Sequence, residues 1–163
     1  MAWTLLLAAG QGNRLASATG GLAKQFLDWK GAPLYWESTL VFSRCARVEG
    51  LVFVFPEACI DEERERVAGL MRNASLGIPW KVVAGGALRQ DSVRNGLSAL
   101  PDDCMEVLIH DAARPFVSPV LVNRILDGLH GEASGECVAA CIPGIPVVDT
   151  IKVMDEEKKV VAT

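Results

Sequence analysis

The sequence predicts an α/β fold, a three-layer sandwich around a mainly parallel sheet, with a β-arm protruding from it. Three observations predict it. Short, continuous apolar or β-branched runs alternate with longer amphipathic segments along most of the chain. The runs lack the polar alternation of half-exposed strands, so they read as strands covered on both faces, as in parallel sheets. From residue 145 onward the pattern changes to two β-rich runs flanking a charged turn, which is the signature of a hairpin.

Five runs are strand candidates: residues 4–8 (TLLLA), 51–55 (LVFVF), 81–84 (KVVA), 107–109 (VLI) and 138–142 (VAACI). Helices are expected between them. Pro33 opens the segment 34–45, which carries Leu34, Trp36, Leu40, Val41 and Phe42. Asp61 precedes 62–71, where acidic residues fill the first turn and Val67, Leu70 and Met71 share a side. Ser118 and Pro119 form an N-cap and first-position pair ahead of Leu121, Val122, Ile125, Leu126 and Leu129. Strand and helix repeated in this order imply right-handed crossovers and a sheet covered by helices. The hairpin is expected from 145–154 and 159–162 around Asp155-Glu156-Glu157-Lys158. No repeat, low-complexity tract or linker divides the chain, so residues 1–163 read as a single domain in which 145–163 begin the arm.

Composition narrows the function classes. Half of the residues are hydrophobic and the net charge is −4, a balance opposed to a nucleic-acid partner but compatible with a small anionic ligand held by local Arg and Lys. Five cysteines without CxxC spacing and only two histidines give no zinc pattern and read as reduced thiols. The N-terminal apolar run has no basic start, so it reads as a first strand rather than a signal peptide. No stretch approaches the roughly 18 apolar residues of a membrane span. A cytoplasmic protein without a membrane or nucleic-acid partner is the expectation.

Ligands of parallel sheets sit beyond the carboxyl ends of the strands, and the unusual residues of this chain fall there. Ala8-Ala9-Gly10-Gln11-Gly12-Asn13-Arg14 follows the first strand. Glycines allow a tight turn with N–H groups near an anion, but neither the dinucleotide fingerprint nor the P-loop is present. Arg14, with Lys24 ten residues on, would suit a triphosphate attacked at its α-phosphorus; alone, the segment is equally a plain turn. Gly85-Gly86 precede a helix with Ser92 in its first turn, which reads either as a ligand-facing turn or as a capped helix start. Asp111, in His110-Asp111-Ala112-Ala113-Arg114, could hold Mg²⁺ or a ribose hydroxyl, or could staple a loop to Arg114; His110 reads as a structural hydrogen-bonding residue. Asp149-Thr150-Ile151-Lys152, in the hairpin region, carries no function by itself.

Together and in this order, LLAAGQGNR, AKQF, GGALRQDSVRNGL, IHDAARPFV and VVDTIK resemble the 2-C-methyl-D-erythritol 4-phosphate cytidylyltransferase family, from about residue 4 to the end of the chain. HDAARPFV and the GG-x-x-R-x-x-SV-x-x-GL pattern are the specific markers, whereas the glycine loop is shared with many nucleotidyltransferases. The resemblance implies a Rossmann-like nucleotidyltransferase sheet and a homodimer joined through the β-arm. It implies cytidylyl transfer from CTP, with Mg²⁺, to a sugar-alcohol phosphate in isoprenoid precursor synthesis. Arg14 and Lys24 are then catalytic. Ala8, Ala9, Gly10, Gln11, Gly12, Gly85, Gly86, Ser92, Asp111 and Ala112 bind the nucleotide, Asp111 also meets the metal, and Thr150 with Lys152 receives the acceptor. The family's common acidic residue after the paired glycines is Ala87 here. The resemblance also implies that the family domain continues past Thr163, so the chain is expected to be C-terminally incomplete. The competing readings are a ribitol 5-phosphate cytidylyltransferase and a non-catalytic nucleotide-binding module.

Overall fold

The computed structural model describes residues 1–10, 22–131, 135, 137–146 and 152–162. It divides into two compact units, Met1–Asn123 and Arg124–Thr163.

The first unit is built on the strand β1 (Ala2–Leu7). A tight hairpin follows, from β2 (Asp28–Trp29) to β3 (Ala32–Pro33). Its two central residues, Lys30 and Gly31, have φ of 56° and 82°, the left-handed pair that a two-residue hairpin turn of this hand requires. Next come α1 (Tyr35–Ser43), β4 (Val48–Phe55), α2 (Ile60–Asn73), β5 (Trp80–Ala84), α3 (Arg89–Leu97) and β6 (Glu106–Asp111). The helix α4 (Pro119–Leu129) begins as its sequence predicts, with the Ser118 hydroxyl accepting the Leu121 N–H at 3.1 Å.

β5, β4, β1 and β6 pair in that order, every pair parallel, into one sheet. Alternation along the strands assigns the two faces. Trp3, Leu5, Val52 and Val54 form one cluster, with Leu7, Val83, Ala99, Leu100 and Val107 packed against it. Helix α3 covers this face, and Gly96 comes so close to Leu5 that an added Cβ would lie 2.6 Å from its side chain. The opposite face carries Leu6, Phe53 and Phe55 beneath α1. Tyr35 lies 5.2 Å from Phe55 and 6.2 Å from Phe53, centroid to centroid, and Phe42 packs 5.1 Å from His110. Helices on both faces of a parallel sheet make the expected three layers. At about 25 cal/mol per Å² of apolar surface removed from water, aromatic burial of this kind is the main stabilising contribution of that layer.

Helix α2 joins α1 through one buried polar contact. The Tyr35 hydroxyl donates to Glu63 Oε2 at 2.8 Å, and Arg66 meets Glu63 Oε1 at 3.0 Å. Burial, then the Glu63 charge, keeps the Tyr35 phenol protonated far above its usual range. Burial likewise raises the Glu63 carboxyl, against the lowering effects of the Tyr35 hydrogen bond and Arg66.

In the second unit, β7 (Val153–Met154) and β8 (Val160–Ala162) form the expected antiparallel hairpin, and residues 147–151 of the predicted run 145–154 lie outside the described residues. Lys158 has φ 62°, and Asp155 anchors the turn by accepting the Lys159 N–H at 2.8 Å. The predicted strand at 138–142 does not form: these residues are irregular, and Ile142 is 86% exposed. An apolar run becomes a strand only where a neighbouring backbone edge takes up its hydrogen bonds. Val138 N–H instead bonds Leu129 C=O at the end of a helix, and Pro143 and Pro146 have no N–H to extend a ladder.

Candidate active site

Successive strands run outward from β1 to β5 on one side, and the chain then returns to place β6 on the other side of β1. The crevice at such a reversal, beyond the carboxyl ends, is where ligands of open α/β sheets bind. Three of the four sequence segments meet at this edge.

After β1, Ala8 is buried, its N–H donating to Val54 C=O at 2.8 Å. Gln25 sits in a single 3₁₀ turn (Lys24–Phe26) and is 4% exposed. Its amide nitrogen donates to Ala8 C=O and to Gly10 C=O, each at 2.7 Å. Lys24, exposed on the same turn, is thereby tied to the start of the glycine loop. Gln11, Gly12 and Arg14 lie outside the described residues.

After β5, Gly85 N–H donates to Phe55 C=O at 2.7 Å. A Cβ at Gly85 would overlap the Ala9 methyl and lie 2.9 Å from the Ser92 hydroxyl, so only glycine lets the two loops approach this closely. Gly86 is as tightly placed, against Asp91. The Ser92 hydroxyl accepts the Gly86 N–H at 3.1 Å and faces Leu88 C=O at 3.3 Å, so it shapes the turn. Asp91 accepts the Leu88 N–H at 3.1 Å and closes the start of α3.

At the end of β6, Asp111 is paired in register with Leu7, and the N–H of the buried Ala112 donates to Leu7 C=O at 3.0 Å. Asp111 Oδ1 receives Arg89 Nη2 at 2.8 Å and Nε at 3.3 Å, and Arg114 Nε lies 3.4 Å from Oδ2. His110 Nε2 lies 2.9 Å from Arg114 C=O, which requires the ring to donate there from Nε2. Burial holds its pKa below the usual imidazole value, so it stays neutral and structural, as the sequence suggests.

Sequence reasoning overlooked Gln25 and Arg89. Both stand inside the quoted motifs AKQF and GGALRQDSV, but nothing in a residue type announces which backbone carbonyl or distant carboxylate it will reach. Of the arm pair, Thr150 lies outside the described residues; Lys152, just before β7, is exposed. Among the described residues no cluster of three His, Cys, Asp or Glu is arranged to hold a metal ion. Both Asp111 oxygens face guanidinium groups. No described helix is long and apolar enough to cross a membrane, and all five cysteines are free.

The profile of the IspD family, 2-C-methyl-D-erythritol 4-phosphate cytidylyltransferase, matches residues 2–163. The chain belongs to that family. A bifunctional IspD/IspF enzyme of Oleidesulfovibrio alaskensis is 51% identical over 94% of this chain and 37% of its own length. A 2-C-methyl-D-erythritol 4-phosphate cytidylyltransferase of Clostridium botulinum is 33% identical over 94% of this chain and 61% of its own. The present IspD-family chain thus spans a little over a third of the first relative and about three fifths of the second. The crystal structure of 4-diphosphocytidyl-2C-methyl-D-erythritol synthase from Anaerococcus prevotii covers all of this chain with 64% of its own, at TM-score 0.73 and 20% identity, which shows the shared fold.

Proposed function

We propose that this IspD-family chain transfers the cytidylyl group of CTP to 2-C-methyl-D-erythritol 4-phosphate, giving the cytidine diphosphate derivative and pyrophosphate. The observation that carries the reading is the convergence of Ala9, Gly85 and Ser92 beside the Arg89–Asp111 pair, at the edge where β1, β5 and β6 end. A phosphate oxygen of the acceptor attacks the α-phosphorus of CTP in line, and the bond to the β-phosphate bridging oxygen breaks as pyrophosphate departs. Such transfer needs positioning and charge neutralisation rather than a protein nucleophile. Lys24 and Arg14 supply positive charge to the α-phosphate. Backbone groups of Ala8 to Gly12 hold the phosphates, and Gly85, Gly86 and Ser92 border the cytosine and ribose.

Asp111, oriented by two arginines, retains lone pairs for a ribose hydroxyl or for a metal ion. Mg²⁺, which takes few carboxylates, would be held beside Asp111 and would offset the charge of the CTP phosphates. Thr150 and Lys152 receive the acceptor phosphate. The β7–β8 hairpin exposes Val153, Met154, Val160 and Val161, an apolar surface that fits a second copy of the chain. Free thiols favour a cytoplasmic setting.

The test incubates CTP with methylerythritol phosphate or ribitol 5-phosphate and follows products by ³¹P NMR. It uses this chain and the chain extended by the C-terminal segment of its longer relatives. A methylerythritol product is expected. Faster formation of the ribitol product would overturn the acceptor, and CTP binding without pyrophosphate release in either form would leave a binding module instead. Sedimentation of the same samples reads the dimer.

A further inference from the structure

Gln25 is a buried amide in an irregular stretch, and its side chain crosses 15 to 17 residues of sequence to reach the carbonyls of Ala8 and Gly10. A primary amide has two N–H donors, and here both point at backbone oxygens of one loop. A planar trans peptide carries its N–H opposite its C=O. Drawing the Ala8 carbonyl toward Gln25 therefore turns the Ala9 N–H away from it. Ala9 is the residue whose methyl abuts Gly85. The same short turn that carries Gln25 presents Lys24, and Phe26 packs beneath it at 6.3 Å from Tyr35 and 6.0 Å from Phe55, which fixes the turn to the core.

We infer that Gln25 is a positioning residue for cytidylyl transfer: its two donated hydrogen bonds lock the stretch Ala8–Gly10 and the Lys24 turn into one register, so that backbone N–H groups of that stretch and the Lys24 cation address the same phosphate. This rests on the reading of the carboxyl-edge site given above. Gln25 touches no substrate; it acts through the Ala8 and Gly10 carbonyls and through Lys24.

Two variants separate this role from plain structural support. Gln25→Met keeps the shape and burial but has no donor. Gln25→Glu has the same length and offers an acceptor to two acceptors. Misplacing reacting groups by about 1 Å costs roughly a hundredfold in rate. Gln25→Met is therefore expected to lower kcat on the order of a hundredfold, with the KM for CTP changed less than about threefold, in a protein that still unfolds cooperatively although its thermal midpoint falls because the Ala8 carbonyl is left unpaired. In a Lys24→Ala background the same change should cost several-fold at most, because groups that act as a unit are not additive. Equal losses in both backgrounds, or a Gln25→Met protein with parental kcat, would overturn the inference. If the parent releases no pyrophosphate from CTP with either acceptor, the reading of function fails. Amide hydrogen exchange at Ala9 and Gly10 then decides the inference by itself. Exchange as slow in Gln25→Met and Gln25→Glu as in the parent would overturn it, and faster exchange there in folded variants would sustain it.

Discussion

Arg89 Nη2 and Asp111 Oδ1 stand 2.8 Å apart, although the strands that lead to them, β5 and β6, are the two outer members of the four-stranded sheet. The side chain from the first residue of α3 reaches across the carboxyl edge of the sheet to the end of β6. Arg89 is 64% exposed and Asp111 35% exposed, so the pair adds little stability, about 0–1 kcal/mol, and its consequence is geometric. Asp111→Asn should shift the thermal midpoint only slightly while weakening CTP binding about tenfold or more, the scale of a lost hydrogen bond to a charged group. Calorimetric titration beside thermal denaturation measures both. A large stability loss with unchanged affinity would reduce Asp111 to a loop staple.

Thr4 lies in the middle of β1, fully buried, and its hydroxyl has no hydrogen-bond partner among the described residues. A buried hydroxyl left without a partner costs about 1–3 kcal/mol, and valine has the same shape without that cost. Thr4→Val should raise stability by about 1 kcal/mol, read as a higher urea midpoint with an unchanged slope. A lower midpoint would mean that the hydroxyl is satisfied after all.

Glu63 gives the fold a pH dependence of definite sign. Burial raises its carboxyl above the ordinary 4.5, so over the interval above that value the folded protein holds a proton that the unfolded chain has released. Its contribution to stability is complete below the unfolded pKa and is lost as pH rises through the folded one. Glu63→Gln cannot ionise, so its urea midpoint should gain on that of the parent between pH 4.5 and 7.5. A difference constant across that range would show that the Tyr35 and Arg66 contacts hold the carboxyl near its usual value.

The parallel sheet was legible because its strands are buried on both faces, and burial of that kind writes itself as unbroken runs such as LVFVF. The start of α4 was legible because Ser118-Pro119 is a local signal that needs no tertiary partner. The run VAACI misled for the converse reason: a strand needs a neighbouring edge, and the Val138 N–H bonds the Leu129 C=O instead. At the site, the glycines were visible as residue types, but their purpose was not. Gly85 is required by the Ala9 methyl, 76 positions earlier in the sequence, and such a contact is a property of the fold alone. Gln25 and Arg89 escaped for the same reason, since a glutamine or an arginine declares its partner only once strands β1 and β6 are side by side.

We propose that Lys24 and Arg14 act on the α-phosphate as the cytidylyl group is transferred. The most direct test is pyrophosphate release from CTP and methylerythritol phosphate in Lys24→Ala and Arg14→Ala, made in the chain extended by the C-terminal segment of its longer relatives and set beside CTP affinity. Losing one preorganised charge contact to the transition state costs about 2.7–4 kcal/mol, so turnover should fall about a hundredfold to a thousandfold with only modest change in binding. Turnover near that of the parent in both variants would contradict the account and remove these cations from the mechanism.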